Sequence, residues 1–310
     1  MSPDEPLTGH VAMVAGATRG AGRAIAIELA RAGAEVYATG RRRSSSRGPS
    51  EIGRPETIEE TGALIKKAGG RSTALRVDHE DPGAVADLVS QIEAEQGRLD
   101  VLVNDIFGGD RYAEWDKPLW EHDLAGGLRM LRMGVDTHLI TCAKAIPLML
   151  RSGSGLIVEM TDGTSKANAD FRPGVGLYYD LVKASVERIV KGLAVELADR
   201  PVTALGVTPG WLRSEKMLEG FGVTEDNWRD ACAAAPGFAI SESPTYVARG
   251  VASLACDMQV SRFAGQVLSV RQLADAYGFT DVDGSRPDCW ALVDAYGFDH
   301  GCPDDIDKYR

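Results

Sequence analysis

The sequence predicts a doubly wound parallel α/β sheet that forms one domain. Three observations indicate it: short apolar runs alternate with helical patterns along most of the 310 residues, a glycine-rich turn follows the first apolar run, and no linker-like change of composition interrupts the alternation. Strands that alternate with helices form right-handed βαβ units, which place helices on both faces of a parallel sheet. Hydrophobic residues make up 44% and charged residues 25% of the chain, as in soluble globular proteins.

The first half of the chain supplies four predicted strands and two predicted helices. The strands fall on residues 11–15, 35–39, 72–77 and 99–103, and the helices on residues 21–32 and 82–96. In the first helix, Ile25, Leu29 and Ala32 share one face. Residues 41–55 carry basic side chains among Ser, Gly and Pro and are expected to form an exposed loop.

The second half continues the alternation and ends in a segment without a clear period. Strands are predicted over residues 155–160, 202–207 and 266–270, and helices over residues 128–150, 177–198 and 244–256. The expected division is a tail over residues 1–8, the domain over residues 9–272, and an extension over residues 273–310 that packs on it. The pentapeptide Asp-Ala-Tyr-Gly-Phe occurs twice in the extension, which is too little for a repeat architecture.

Composition excludes several classes of protein. The net charge of −11 argues against nucleic acid as a partner, because phosphate binding needs a basic surface. The five cysteines include no C-x-x-C pair, so we expect no disulfide framework and a reducing cytoplasm. The histidines show no metal-ligand spacing, and no metal is expected. No apolar stretch approaches 18 residues, so a membrane span is not expected either.

The glycine-rich turn stands between the first strand and the first helix. Glycines let the backbone turn sharply and approach a pyrophosphate, and the helix N-terminus adds free N–H groups and a positive dipole end. This strand–turn–helix context predicts a dinucleotide site in a Rossmann-type sheet. The alternative is a tight turn that binds nothing. The expected cofactor contacts in the turn are Gly16, Thr18, Arg19, Gly20 and Gly22.

Four motifs, in order, resemble the short-chain dehydrogenase/reductase family. They are the G-x-x-x-G-x-G turn, Asn104 at the end of the fourth strand, the pair Tyr179-x-x-x-Lys183, and Pro209-Gly210 after the sixth strand. The resemblance covers about residues 8–271. Residues 266–268 and 273–284 further resemble the subgroup around dehydrogenase/reductase SDR family member one.

The resemblance implies an enzyme that transfers hydride between a nicotinamide cofactor and a carbonyl or alcohol substrate. It assigns Asp78 to the adenine and Asn104 to the cofactor ribose. It also implies that Trp211 and Leu212, which follow Pro209-Gly210, hold the nicotinamide amide through main-chain groups. A homodimer or homotetramer formed through the long helices is expected on the same basis.

The charges after the second strand favour NADP(H) over NAD(H). An acid at this point binds a ribose 2′-hydroxyl, whereas a 2′-phosphate needs Arg. The strand is followed by Arg41 with no acid, and Arg19 adds a second positive charge inside the turn. Two guanidinium groups suit a phosphate dianion. The alternative is that both are solvated loop charges.

Tyr179 and Lys183 are four residues apart and share one face of a helix. A free Tyr has a pKa near ~10, and a nearby ammonium lowers it. Lys183 would do this and also hold the nicotinamide ribose, while Tyr179 exchanges a proton with the substrate oxygen. The alternative is an ordinary surface pair.

The sequence departs from the family pattern at three places. The position of the catalytic serine falls on Asp162, the helix asparagine falls on Gly134, and the motif N-N-A-G reads Asn104-Asp105-Ile106-Phe107. Asp162 allows three interpretations. It is a protonated hydrogen-bond donor, an ionised group that binds a substrate hydroxyl or amine, or a turn cap.

Aromatic residues border the expected substrate cleft on both sides. Trp115 and Trp120 precede the long helix, while Trp211, Phe221, Trp228 and Phe238 follow the sixth strand. They suit a bulky apolar substrate, and they suit a core equally well. Because the Ser and Asn are missing, a redox-neutral lyase, isomerase or cyclase remains an alternative, as does a non-catalytic dinucleotide-binding protein.

Overall fold

A computed structural model describes residues 5–42, 51, 53–297 and 305–310. Within these residues, parallel strands form a single sheet in the order β3-β2-β1-β4-β5-β6-β7. The strands are β1 (Val11–Ala15), β2 (Glu35–Gly40), β3 (Arg71–Arg76), β4 (Val101–Asn104), β5 (Gly155–Met160), β6 (Val202–Thr208) and β7 (Val267–Ser269). The order runs outward in both directions from β1 and β4, which confirms the doubly wound parallel sheet predicted from the sequence.

Helices cover both faces of this sheet. They are α1 (Gly20–Arg31), α2 (Ile58–Lys67), α3 (Pro82–Gln96), α4 (Leu124–Leu131), α5 (Thr137–Ser152), α6 (Leu177–Glu196), α7 (Glu215–Phe221), α8 (Pro244–Cys256), α9 (Val270–Tyr277) and α10 (Cys289–Tyr296). On one face, Leu29 of α1 and Val251 of α8 belong to the same apolar cluster. On the other face, Ile92 of α3 packs with Leu148 of α5.

Several elements differ from the prediction, among them α7 and α10, which were not expected. Helix α2 was not expected, although Thr57 and Glu60 form a capping box at its start. The long helix predicted over residues 128–150 begins earlier, at α4, and passes through a π-helical turn at Arg132–Asp136 before α5. The strand predicted over residues 266–270 ends at Ser269, because that hydroxyl accepts a hydrogen bond from the Gln272 N–H and starts α9.

The predicted loop over residues 41–55 and tail over residues 1–8 fall partly outside the described residues. The C-terminal segment contains α9 and α10, and each copy of the pentapeptide lies at a helix end. Gly278, with a φ of 79°, caps α9, and Gly297 follows α10, while the last residue of the second copy is outside the described range. Glycine suits such ends because it adopts positive φ without strain.

Candidate active site

A cavity of about 920 Å³ opens at the carboxyl ends of the strands. It extends from the glycine turn past Tyr179 to α10. Most of the residues expected at the site line it, namely Gly16, Thr18, Arg19, Gly20, Arg41, Asp78, Asp162, Tyr179, Lys183, Pro209, Gly210, Trp211 and Leu212. Gly22 and Asn104 are not among the lining residues, and both are buried.

The glycine turn is packed tightly against the segment that follows β4. Gly16 has a φ of 91°, and a Cβ there would overlap the Asp105 carbonyl oxygen. A Cβ at Gly22 would lie 2.9 Å from Asp105 Oδ2. These two glycines therefore serve the close packing of the turn. Burial raises the pKa of Asp105 to about 6. The hydrogen bond from the Gly22 N–H to the carboxylate lowers this pKa and so partly opposes the effect of burial.

The start of α1 already holds an anionic oxygen. The Gly20 N–H donates to Glu215 Oε2 at 2.9 Å, and Arg23 Nη1 lies 3.6 Å from Glu215 Oε1. A Cβ at Gly20 would have no neighbour closer than 3.9 Å, so the cavity side of the turn is open. Glu215 therefore occupies the position at the start of α1 where a helix N-terminus binds an anion.

The far end of the cavity combines arginines and carboxylates. Arg41 Nη1 lies 3.1 Å from both Glu51 Oε2 and Glu80 Oε1, and Arg129 from α4 binds the same two carboxylates. The hydrogen bond from Arg129 lowers the pKa of Glu51 to about 2. Arg19 is less engaged, with Asp110 Oδ2 at 3.9 Å. The sequence analysis did not predict Arg129, because it lies on α4, far along the chain from Arg41 and the glycine turn.

At the catalytic end, the Asp162 carboxylate faces Tyr179. The Tyr179 hydroxyl donates to Asp162 Oδ2 at 3.0 Å, and Arg172 Nη1 lies 3.3 Å from the same oxygen. Arg172 also contacts Asp180 Oδ1 at 3.2 Å, and only 3% of its side chain is exposed. The sequence analysis missed Arg172, which stands in a segment without regular structure before α6. The arrangement supplies an acceptor where a serine hydroxyl would supply a donor.

Burial sets the protonation of the Tyr179–Lys183 pair. It raises the pKa of Tyr179 well above the ordinary value, and the Asp162 carboxylate adds to this effect. It lowers the pKa of Lys183, whereas the carboxylates of Asp162, Asp110 and Asp105 oppose that change. Lys183 Nζ lies 5.4 Å from the centroid of the Tyr179 ring. Without cofactor and substrate, Tyr179 therefore keeps its proton at neutral pH.

Two aromatic rings hold the Tyr179 ring in place. The Phe107 centroid is 5.9 Å away with an interplanar angle of 80°, and the Trp115 centroid is 5.3 Å away. Phe107 also faces Lys183, whose Nζ is 3.8 Å from the centroid of the ring. Edge-to-face and cation–π contacts of this kind orient the side chains of both Tyr179 and Lys183.

A fully buried polar cluster lies beneath the site. Asn104 Nδ2 donates to Glu159 Oε1 at 2.8 Å, and His138 Nδ1 bonds the other oxygen of that carboxylate. His138 Nε2 lies 3.1 Å from the Ile106 carbonyl oxygen. Both ring nitrogens face acceptors, an arrangement that favours the doubly protonated imidazolium form of His138. Burial alone would lower the pKa of His138, but Glu159 raises it above the ordinary value.

The loop Pro209-Gly210-Trp211 is backed by α10 and by Glu242. The Trp290 indole donates to the Pro209 carbonyl at 3.0 Å. A Cβ at Gly210 would lie 2.5 Å from Cys289 Cβ and 3.0 Å from Glu242 Oε2, so glycine lets the loop pack closely against both. Leu292, Val293 and Tyr296 of α10 complete this end of the cavity.

The predicted aromatic walls separate into two sets. Trp115 and Trp211 line the cavity, whereas 84% of Trp120 is exposed to solvent elsewhere. Trp228 and Phe238 are buried in a small apolar cluster, with Phe221 packed against it. The core interpretation therefore holds for these last three residues.

Two wider features complete the description of the chain. Among the described residues, no group of three or more His, Cys, Asp or Glu side chains is arranged to hold a metal ion. Within the same ranges, no helix combines the length and apolar character needed to cross a membrane.

The sheet order and the site define the class of protein, and comparison with known proteins agrees. Residues 16–272 match the family model described as enoyl-(acyl carrier protein) reductase. The chain belongs to the short-chain dehydrogenase/reductase family and is an enzyme of the oxidoreductase type.

Among individual proteins, the chain is 32% identical to mouse dehydrogenase/reductase SDR family member 1, over 91% of this chain and 86% of the mouse protein. It is 30% identical to 7alpha-hydroxysteroid dehydrogenase of Clostridium sardiniense, over 73% of this chain and 78% of that protein. A solved short-chain dehydrogenase/reductase from Serratia marcescens superimposes with a TM-score of 0.68 at 27% identity, covering 85% of this chain and 97% of that one. These relatives confirm the predicted family and its subgroup.

Proposed function

We propose that this enzyme is an NADP(H)-dependent oxidoreductase that interconverts a carbonyl and an alcohol, with Tyr179 as the acid–base group. The observation that carries the proposal is one cavity with an anion-binding glycine turn at one end and Tyr179, Lys183 and Asp162 at the other. A nicotinamide cofactor supplies or accepts hydride when it is bound.

The residues that would hold the cofactor follow the length of the cavity. Gly20 and the start of α1 would take the pyrophosphate, and Arg41 with Arg19 would take the 2′-phosphate. Asp78 would contact the adenine, while the main chain of Pro209, Gly210, Trp211 and Leu212 would hold the nicotinamide amide. Asn104 would act indirectly on the cofactor site, because its amide donates a hydrogen bond to the buried carboxylate of Glu159. Gly22 would act through the shape of the turn.

In the direction of reduction, the Tyr179 hydroxyl gives its proton to the substrate oxygen. To do so it exchanges its hydrogen bond to Asp162 Oδ2 for one to the substrate. The Lys183 ammonium stabilises the phenolate that is left, and in oxidation the proton returns to it. Asp162 is held by Arg172 and accepts hydrogen bonds, so it binds a second hydroxyl or an amine of the substrate.

The walls near Tyr179 favour a bulky apolar substrate with one such polar group. Trp115, whose ring contacts Tyr179, lines the cavity together with Ile240, Leu292, Val293 and the polar Asp162. Aromatic and aliphatic walls with a few placed polar groups are typical of small-molecule sites. The proposed partners are therefore a small molecule and neither nucleic acid nor a membrane.

We also propose a homodimer or homotetramer in the cytoplasm. Leu128 of α4, Leu139 of α5 and Leu181 of α6 are 45%, 50% and 46% exposed. Large apolar side chains that stay exposed on neighbouring helices support an association through these helices.

The acid–base role is tested by Tyr179→Phe, which removes only the hydroxyl. Turnover with a panel of carbonyl compounds should fall at least a hundredfold, while NADPH binding, followed by its fluorescence, stays unchanged. Lys183→Ala should weaken both. Near-normal kcat in Tyr179→Phe would refute the role, and turnover without net oxidation of NADPH would favour a redox-neutral enzyme. Binding without any turnover would favour a non-catalytic protein.

The cofactor choice is tested by comparing NADPH and NADH binding in the wild type and in Arg41→Asp. The wild type should prefer NADPH, and the substitution should reverse the order, because it places an acceptor where the 2′-phosphate would lie. Arg71→Asp, at an exposed arginine of β3, is the matched control. A wild type that prefers NADH would contradict the proposal.

A further inference from the structure

Two departures from the family motifs, far apart in the sequence, meet in the structure. A Cβ at Gly134 would overlap Val182 Cγ1 and lie 3.2 Å from Phe107 Cδ2. A Cβ at Gly109 would lie 2.7 Å from Phe107 Cε2. The Phe107 ring therefore occupies space that is available only because both neighbours are glycine.

The ring in this space contacts both members of the catalytic pair. It presents its face to Lys183, with Nζ 3.8 Å from the centroid, and lies at 80° to the Tyr179 ring. The face of an aromatic ring carries negative charge density and attracts an ammonium within about 6 Å of the centroid. Phe107 thus contacts the cation at the wall of the cavity that both residues line.

The carboxylates around Lys183 act on its ammonium from longer range than the Phe107 ring does. No ion pair among the described residues includes Lys183, and burial lowers the pKa of its ammonium. The charged or titratable groups that face it are the carboxylates of Asp105, Asp110 and Asp162, the cations Arg172 and His138, and the Tyr179 hydroxyl. A neutral ring at contact distance therefore adds a direct attraction for the ammonium to that of these carboxylates.

We propose that Phe107 is a positioning residue whose ring face holds the Lys183 ammonium charged and in place beside Tyr179. The inference rests on the role of Lys183 given under the proposed function. It adds a residue type that the family motif does not have at this position, and it explains why Gly134 accompanies it. The ring carries no group that could exchange the proton.

A double-mutant cycle tests the contact without cofactor or turnover. Urea unfolding is measured for the wild type, Phe107→Leu, Lys183→Met and the double variant. A desolvated cation–π contact predicts a coupling of about five- to thirty-fold in the unfolding equilibrium constant. The control cycle replaces Lys183→Met by Lys191→Met on the same helix, where the side chain is 51% exposed, and should show no coupling. Equal behaviour of the two cycles would overturn the proposal.

A second measurement separates the charge effect from packing. Removal of the ring face should lower the pKa of Lys183 further, so the alkaline loss of NADPH affinity should move to lower pH by about one unit in Phe107→Leu. Progressively fluorinated phenylalanines at position 107 keep an aromatic ring while weakening its attraction for a cation, and should shift the loss in steps. They also serve if Phe107→Leu fails to fold. No shift along the fluorinated series would refute the cation–π role.

The two proposals fail in different ways. If NADPH does not bind the wild type at any pH, the proposed function fails, and the unfolding cycle alone still decides the role of Phe107. If NADPH binds and turns over but the cycle shows no coupling, only the role of Phe107 is refuted.

Discussion

Glu242 offers the sharpest test of how the cofactor loop is supported. Its side chain is 1% exposed, and the Gly210 N–H bonds its carboxyl group behind the loop that would hold the nicotinamide amide. Burial raises the pKa of Glu242 to about 8, the nearby Asp281 and Asp288 also raise it, and Arg213 opposes them. We therefore predict that Glu242 is protonated in the folded protein at neutral pH and that Glu242→Gln mimics this form.

The size of the effect follows from linkage between proton binding and folding. The folded state binds this proton more tightly than the unfolded chain, whose pKa is near the ordinary 4.5. The stabilisation is complete below about pH 4.5 and is lost as the pH rises to about 8. Because each pH unit is worth about 1.4 kcal/mol, the wild type should lose on the order of 4 kcal/mol relative to Glu242→Gln over this range.

The assay is urea unfolding of both proteins between pH 5 and pH 9, followed by tryptophan fluorescence. The two free energies of unfolding should be similar near pH 5 and should diverge steadily up to pH 8, with the variant more stable. Glu196→Gln, at an exposed position at the end of α6, is the control and should follow the wild type. Curves for the wild type and Glu242→Gln that stay parallel across the range would refute the reasoning.

Three further predictions concern the cavity. Glu215→Gln removes the carboxylate that competes at the Gly20 N–H, so isothermal titration should show NADPH binding several-fold tighter than in the wild type; unchanged or weaker binding would contradict the competition. Asp162→Ser should raise KM and leave the pH profile of kcat largely unchanged, since the carboxylate is an acceptor held by Arg172; a pH limb that disappears would instead indicate a protonated donor. Val293→Trp should raise KM for bulky substrates through steric overlap while NADPH binding is spared, and an unaltered KM across a series of substrate sizes would exclude α10 from the substrate wall.

The fold could be predicted because its information is local. Apolar runs predicted every strand of the described sheet, and each predicted strand end lies within two residues of the observed one. Helix α2 was missed because it directly follows a segment rich in Ser, Gly and Pro, although its start carries a capping box. The start of α9 was missed because an apolar strand continues directly into an apolar helix residue, Val270.

The site was predictable where a motif carried it and unpredictable where chain segments meet in space. Tyr179 and Lys183 are four residues apart, and the glycines of the turn also follow a fixed spacing. The sequence therefore predicted that the pair shares one helix and that the glycines share one turn. Asp162 was recognised as a departure, yet its partner Arg172 stands in a segment without period, and no pattern links the two. Glu242 could not be found either, because its character comes from burial behind Gly210, which only the folded chain creates.

The reach of the C-terminal segment has a consequence for biosynthesis. The Trp290 indole bonds the Pro209 carbonyl, and the Arg310 guanidinium donates to the Ser241 carbonyl at 2.7 Å, so both contacts return to segments made much earlier. Domains fold from the N-terminus as synthesis proceeds at about 5–20 residues per second. The nascent chain can thus form its sheet and glycine turn before α10, which lines the cavity, has been synthesised. A chain whose synthesis stops before residue 289 would therefore have a folded sheet but would lack the cavity wall that α10 forms.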